Sequence, residues 1–274
     1  MQLEERELPF TLHDYYKGAR AWSAEQLALR GGRTTEKVSA SALGSCSRKQ
    51  LATLRGVPAT NPSRPDSVIT TEQGTIIEEV AIGAIEALGL SVRRGISLPN
   101  DYPVSGHPDG ELYEATPMGA GLLGGYKWGW EHKHLGAFGF KRAIQSGFDA
   151  ANPGYMAQIV TYGHALGWDR VLVQVTAQDG SAVRTEQRNA KNDLFKNADP
   201  KTAFFGYDLH SYYPFIPHLH QRVQQITSII APENIAREYD GKRNFPCNFC
   251  HVQDWCNSVG DGGMVVTPSP FGQD

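Results

Sequence analysis

The sequence predicts an α/β fold, and three observations lead there. Segments with helical apolar spacing bracket a run of strand-like segments. The composition is ordinary for a globular chain: 274 residues, 40% hydrophobic and 20% charged, enough for one large domain or two small ones with a sizeable core. The four cysteines are split, with Cys46 near one end and Cys247, Cys250 and Cys256 near the other.

Taken in order, His13 to Leu29 has helical spacing, with Tyr15, Ala19, Trp22 and Leu27 as face residues. A second helix is expected from Ser39 or Ser41, since serine caps helices well, running through Leu43, Cys46, Leu51 and Leu54 to Gly56. Asn61 to Asp66, with two prolines, is a loop. Thr71 to Gly89 is helical, with Ile77, Ala81, Ala84 or Ile85, and Leu88 on one face and Gly89 as its stop. Strand-like segments follow at Ser91–Leu98, Val104–Leu112 and Tyr126–Leu135, the last two separated by the glycine-rich stretch Pro117–Gly125. That stretch lacks the Gly-Lys-Ser/Thr ending of a phosphate-cradling loop. Pro153–Leu166 is a helix with proline in its first turn. Val171–Ala177 is a β-branched strand, with Ala182–Arg188 as a partner across Asp179-Gly180. A helix is expected over Ser211–Ile230, its regular part displaced beyond Pro214 and Pro217. The tail after Cys256, rich in Gly, Pro and Ser, is expected to be loose.

Charge and hydropathy exclude some functions. The net charge of −3 argues against a globally basic coat for nucleic acid. Between Lys17 and Lys49, however, seven basic residues face two acidic ones, 7 − 2 = +5. No apolar run reaches the roughly 20 residues of a membrane span; Val80–Leu90 is interrupted by Glu86 and two glycines. The start, Met1-Gln2-Leu3-Glu4-Glu5-Arg6, has no basic region followed by an apolar one, so a cytoplasmic location is expected.

Two sets of residues carry chemistry. Cys247, Cys250 and Cys256 stand as C-x2-C-x5-C, and with Cys46 they make four thiols. Four thiolates complete a tetrahedral Zn²⁺ site or hold an iron–sulfur cluster, and either would close a very long loop. The second set is Gly106-His-Pro-Asp-Gly110 with Trp130-Glu-His-Lys-His134. Residues i and i+2 of a strand share a face, so Glu131 and Lys133 point together and His132 points away. Burying that pair is costly unless it is matched by charge or metal. Asp109, ending the preceding strand, can stand beside it. Paired carboxylates suit a hard ion, Mg²⁺ or Mn²⁺, and a neighbouring lysine can act on an attacking water or on developing negative charge.

Pro108-Asp109 with Glu131-x-Lys133 resembles the signature of the PD-(D/E)XK nuclease superfamily. Gly74-Thr-Ile-Ile-Glu78 resembles the G-x-x-x-[H/E] helical motif, with Glu78 where many members have His. Gln158-Ile-Val-Thr-Tyr162 resembles the Q-x-x-x-Y motif, its two residues on one helix face. Ser39–Arg48 and the C-x2-C-x5-C run resemble the iron–sulfur subgroup of the RecB-like branch, which includes AddB-like and CRISPR-associated Cas-four-like exonucleases. The resemblance runs from about Ser39 to Cys256.

It implies a restriction-endonuclease-like core, a mixed sheet flanked by helices, over residues 67–243. Residues 1–66 would be a helical region supplying one cysteine, and 244–274 a cluster-binding segment with a flexible tail. It implies that Glu78, Asp109 and Glu131, with the His132 carbonyl, bind Mg²⁺ or Mn²⁺. Lys133 would assist the water, Gln158 and Tyr162 would position DNA or site residues, and Cys46, Cys247, Cys250 and Cys256 would hold a [4Fe–4S] cluster. The expected function is a metal-dependent exonuclease on single-stranded or frayed DNA ends. Alternatives are a CRISPR adaptation factor trimming spacer precursors with an integrase, or a recombination, partner, and a non-catalytic DNA-end-binding module stapled by Zn²⁺.

Overall fold

In the computed structural model of the chain, residues 36–61, 66–178, 201–239, 247, 250–260 and 262–271 are described, together with positions 21 and 25; of 66–71 only the backbone is described. The helix expected over 13–29 lies outside the described residues except for helical Ala21 and Glu25, and the strand expected over 182–188 lies wholly outside them.

The helix expected from Ser39 or Ser41 to Gly56 is broken in two. A 3-10 turn at Ala40–Ala42 precedes helix α1 (Ser47–Leu54), and Cys46 is the extended residue that opens α1 (φ −52°, ψ 131°). Between the two pieces the chain lies flat on another backbone: a Cβ on Gly44 would stand 2.2 Å from the Gly154 Cα. Helix α2 (Asp66–Glu86) begins five residues earlier and ends three earlier than expected. It buries Ala81, Ile82 and Ile85. Leu88, expected on that face, is 56% exposed, because the helix ends at Glu86 and Gly89 (φ +81°) turns the chain toward the sheet.

Five strands form one mixed sheet in chain order: β1 (Leu90–Arg93), β2 (Gly110–Glu114), β3 (Trp128–Leu135), β4 (Arg170–Ala177) and β5 (Thr202–Asp208). Only β3 and β4 run parallel; the other pairs are antiparallel. A parallel pair needs a long crossover. Here it is α3 (Ala137–Ser146), the short α4 (Phe148–Ala151) and α5 (Pro153–Leu166), closed by left-handed Gly167. Sequence reading found α5 to the residue but missed α3 and α4. It also missed β5, which pairs antiparallel with the other edge of β4. Strand β2 begins at Gly110 and not at Val104, since Pro108 has no N–H for a ladder; before it, only Ser105 bridges, to Ser39. The last long helix, α6, occupies Ile216–Ser228 after two 3-10 turns; it begins beyond Pro214 but takes Pro217 into its first turn, where a missing N–H costs nothing. A short helix, α7 (Gln253–Ser258), follows the cysteine pair.

Alternation along the strands splits the core. Trp130, with Trp128 and Leu172, packs toward α2 against Ala81, Ile82 and Ile85. Val171, Val173, Val175 and Leu135 join α1, α5 and α6 on the other side. β3 therefore presents Glu131 and Lys133 to α5.

Candidate functional site

Glu131 is 1% exposed and lies in the middle of β3. Its Oε1 accepts from the Lys133 ammonium at 2.5 Å and from Gln158 Nε2 at 3.3 Å. Its Oε2 is buried without a hydrogen-bond partner. Asp109 Oδ2 accepts from the His132 backbone N–H at 2.8 Å, which pins the end of the β2 approach to β3. Thus the two carboxylates and the lysine converge, as the strand spacing anticipates.

The electrostatics of the group are those of crowded negative charge. Burial, then repulsion from Asp109, pushes the Glu131 carboxyl up to about 7, against the pull of Lys133. Burial also raises Asp109, against Lys133, the His132 N–H and Arg94. Burial and Asp109 raise Glu78, which is half-buried on α2 and held by Arg94 at 3.3 Å; its carboxyl also feels Lys133. Burial alone would depress Lys133, but Glu131 and Asp109 outweigh it and hold the ammonium charged. Among the described residues no hydrogen bond ties Glu78 to the other two acids, and what links it to them is the repulsion from Asp109.

Gln158 and Tyr162, four residues apart on α5, act as one strut. Gln158 Nε2 donates to Glu131 and lies 3.1 Å from the Tyr162 hydroxyl. The Tyr162 ring lies against the loop that carries Asp109: a Cβ on Gly106 would meet the ring at 2.6 Å. The glycine of Gly106-His-Pro-Asp thus has a packing reason. The His132 side chain turns to the opposite face, stacked on Trp130 and bonded to Thr176 Oγ1 at 3.0 Å; burial lowers it to about 4, so it is neutral. His134 lies beside Gly74 of α2, with its Nδ1 buried and unpartnered. His107 is exposed.

The four cysteines line one cavity of about 530 Å³, formed by Ser45–Lys49, the first turn of α5 and the C-terminal segment. None is disulfide-bonded. The cavity wall is also crossed by buried Arg48, which donates to the Ile235, Gly260 and Gly262 carbonyls and lies 3.5 Å from Cys256 Sγ. Among the described residues, no three His, Cys, Asp or Glu side chains stand close enough to hold a metal ion as they are.

One buried acid escaped sequence reading. Glu111, 2% exposed, accepts from Trp168 Nε1 at 2.7 Å and the Tyr113 hydroxyl at 2.9 Å, beside Arg93 and Lys127. It pairs across the ladder with Gly129, where a Cβ would fall 2.0 Å from the Trp168 indole. A glycine within the strand-like run Tyr126–Leu135 was the available signal, since such glycines mark close approach.

The sequence matches no protein-family profile and no curated protein. Solved structures with partial likeness include an alkaline exonuclease (LHK-Exo) from Laribacter hongkongensis, with TM-score 0.45 and 16% identity over 75% of this chain and 91% of that one. A phage-related exonuclease from Haemophilus somnus 129PT gives 0.42 and 14% over 70% and 93%. SSO0001 gives 0.43 and 11% over 90% and 97%. Likeness of this size does not by itself assign an activity.

Proposed function

We propose that the chain is a metal-dependent DNA exonuclease of the PD-(D/E)XK type, acting on single-stranded or frayed ends. One observation carries the reading: Asp109 and Glu131 crowd around a half-buried lysine, and among the described residues Glu131 Oε2 is left without a partner. Burying a charged oxygen unpaired is costly. A hard divalent cation answers the orphaned oxygen and the mutual repulsion together, and so the donor set fits Mg²⁺ or Mn²⁺. Glu78, Asp109 and Glu131, with the His132 carbonyl, would hold it. Such an ion supplies neutralisation of phosphate charge and a more acidic water.

The protein's own groups do the rest. Lys133, fixed by Glu131, keeps its proton and offers a positive charge to the attacked phosphate or orients the entering water. Gln158 holds Glu131 in place, and Tyr162 braces the Asp109 loop through Gly106. Pro108 keeps that loop out of the ladder, so Asp109 stands free of strand geometry at the sheet's end.

For the cysteine cavity, the donor chemistry fits a soft centre: four thiols, all those in the chain, with no Asp, Glu or His among the described residues that line it. Cys46, Cys247, Cys250 and Cys256 would hold a [4Fe–4S] cluster joining the region 1–66 and the segment 244–274 to the core 67–243. The non-catalytic alternative draws on one feature, the ion pairs of Lys133 with Glu131 and of Arg94 with Glu78 and Glu79, which could exist for their own sake.

End-labelled single-stranded DNA incubated with Mn²⁺ separates the two. Asp109→Ala and Lys133→Ala are each expected to lower cleavage at least about 100-fold, the scale of losing one stabilising group at a developing charge. Cleavage at the wild-type rate by either variant overturns the assignment, and metal-independent binding without any cleavage favours the end-binding module.

A further inference from the structure

Tyr155 is the residue that the two sets of chemistry share. It lies on α5 one turn before Gln158, so 155, 158 and 162 fall on one helix face. The Lys133 ammonium stands 5.1 Å from the centre of its ring. The ring stacks on fully buried Phe148 at 6.1 Å and 14°, and Phe148 in turn leans on Phe205 at 5.9 Å. The same tyrosine, with Asn152, Pro153 and Gly154, lines the cavity of the four cysteines. Directly beneath, Gly154 is pressed against Gly44, two residues before Cys46. The first turn of α5 is thus clamped on the cysteine side, and its next turn grips Glu131.

We propose that Tyr155 is a positioning residue for Lys133, holding the ammonium through its ring face, and that the filling of the cysteine cavity sets where that ring stands. The inference rests on the reading of Lys133 as a nuclease lysine for its consequence in catalysis, but not for the geometry itself. The ring face attracts the cation. Its stacking on Phe148 gives that face a fixed plane. Lys133 has four rotatable bonds, and Glu131 restrains only their far end; the ring restrains it from a second direction. Because the cavity wall and the ring belong to one turn of helix, an atom cluster occupying the cavity presses on Tyr155 without touching the carboxylate pocket. Among the described residues the Tyr155 hydroxyl has no hydrogen-bond partner, so the face, and not the hydroxyl, is the working part.

The experiment uses the full chain as wild type, Tyr155→Phe and Tyr155→Leu. Two readouts are taken: kcat and KM on end-labelled single-stranded DNA with Mn²⁺, and labelling of Lys133 by an amine-reactive reagent, followed by peptide mass spectrometry. Labelling is measured in saturating Mg²⁺ throughout, so that the carboxylate pocket stays unchanged, on protein as purified, after treatment with a chelator selective for soft metals, and after re-addition of one equivalent of Zn²⁺. Tyr155→Phe is expected to match wild type in both readouts. Tyr155 is 38% exposed, and Tyr155→Leu is expected to lower kcat about two- to fivefold at unchanged KM, the size of a solvent-accessible cation–ring contact, and to label faster at Lys133. In wild type, stripping the cavity is expected to raise Lys133 labelling several-fold and Zn²⁺ to reverse it, whereas Tyr155→Leu stays high throughout. Equal labelling of wild type in all three states overturns the link to the cavity. A Tyr155→Phe defect as large as that of Tyr155→Leu, or a wild-type kcat and labelling in Tyr155→Leu, overturns the positioning role. If no protein cleaves DNA yet the labelling pattern holds, the nuclease reading has failed and the geometry proposed here stands.

Discussion

At the scale of single residues, the close contacts make the sharpest predictions. Gly129 must lack a Cβ for the Trp168 indole to lie on the strand and reach Glu111. Gly129→Ala is expected to cost about 1–3 kcal/mol of stability, the usual cost of overpacking, read as a lower urea midpoint at constant m-value. Glu111 itself gives a pH signature. Burial would raise its carboxyl, but Trp168, Tyr113, Lys127 and Arg93 outweigh burial and hold it below its ordinary value. A carboxyl depressed in the folded state stabilises above its unfolded pKa, and that contribution is lost as pH falls through the folded pKa. Glu111→Gln is therefore expected to lower the melting temperature most near neutral pH, with the gap to wild type closing below about pH 4. A gap that widens on acidification would contradict the network. Gly106→Ala would place a Cβ 2.6 Å from the buried Tyr162 ring, and is expected to cost about 1–3 kcal/mol of stability as well as to push the ring from the Asp109 loop and reduce cleavage.

At the scale of elements, α5 and β3 carry the site, and both were legible. Helix α5 announces itself by proline at its start, glycine after its end and apolar residues along its length; β3 by alternation with two tryptophans. Their motif residues meet because a strand's period of two and a helix's i, i+4 spacing each hold one face. What sequence could not give was the crossover. Ala137–Ser146 is amphipathic, but Gly139 lies inside it and Gly136 and Gly147 flank it, so its helical state draws on Phe140 and Ala143 packing on the sheet, a tertiary effect that outweighs glycine's poor propensity. The same holds for β5, whose alternation is broken by exposed Phe204 and by Gly206 packed near Trp128. Helix α2 was misjudged at its ends alone, where tertiary turns decide. The strut on α5 predicts a graded effect: Gln158→Leu is expected to lower kcat by about tenfold, the scale of one lost hydrogen bond to a charged group, while the melting temperature changes little.

At the scale of the whole molecule, two buried arginines tie the C-terminal segment down. Arg48 donates to the Gly260 and Gly262 carbonyls of that segment and to the Ile235 carbonyl before it, and Arg222 reaches Thr267, Ser45 and Glu238. Neither could be singled out in sequence, since arginine is rarely buried. Arg48→Ala leaves those carbonyls unsatisfied and is expected to destabilise by about 3 kcal/mol, with the cysteine segment becoming the first site cut in limited proteolysis. Anaerobically purified protein is expected to be brown, and Cys247→Ser to lose iron and solubility together; a colourless protein with stoichiometric zinc would replace the cluster by a zinc staple. The split of the four thiols has a consequence in time. Cys46 leaves the ribosome about two hundred residues ahead of Cys256, which at typical elongation rates is on the order of 10–40 s. Throughout that interval the cavity's first wall exists without its other walls, exposed to oxidants and to any chaperone that shields a nascent thiol. On the cluster reading proposed above, loading can finish only after Cys256 has emerged, and its yield is expected to depend on how long Cys46 is left waiting.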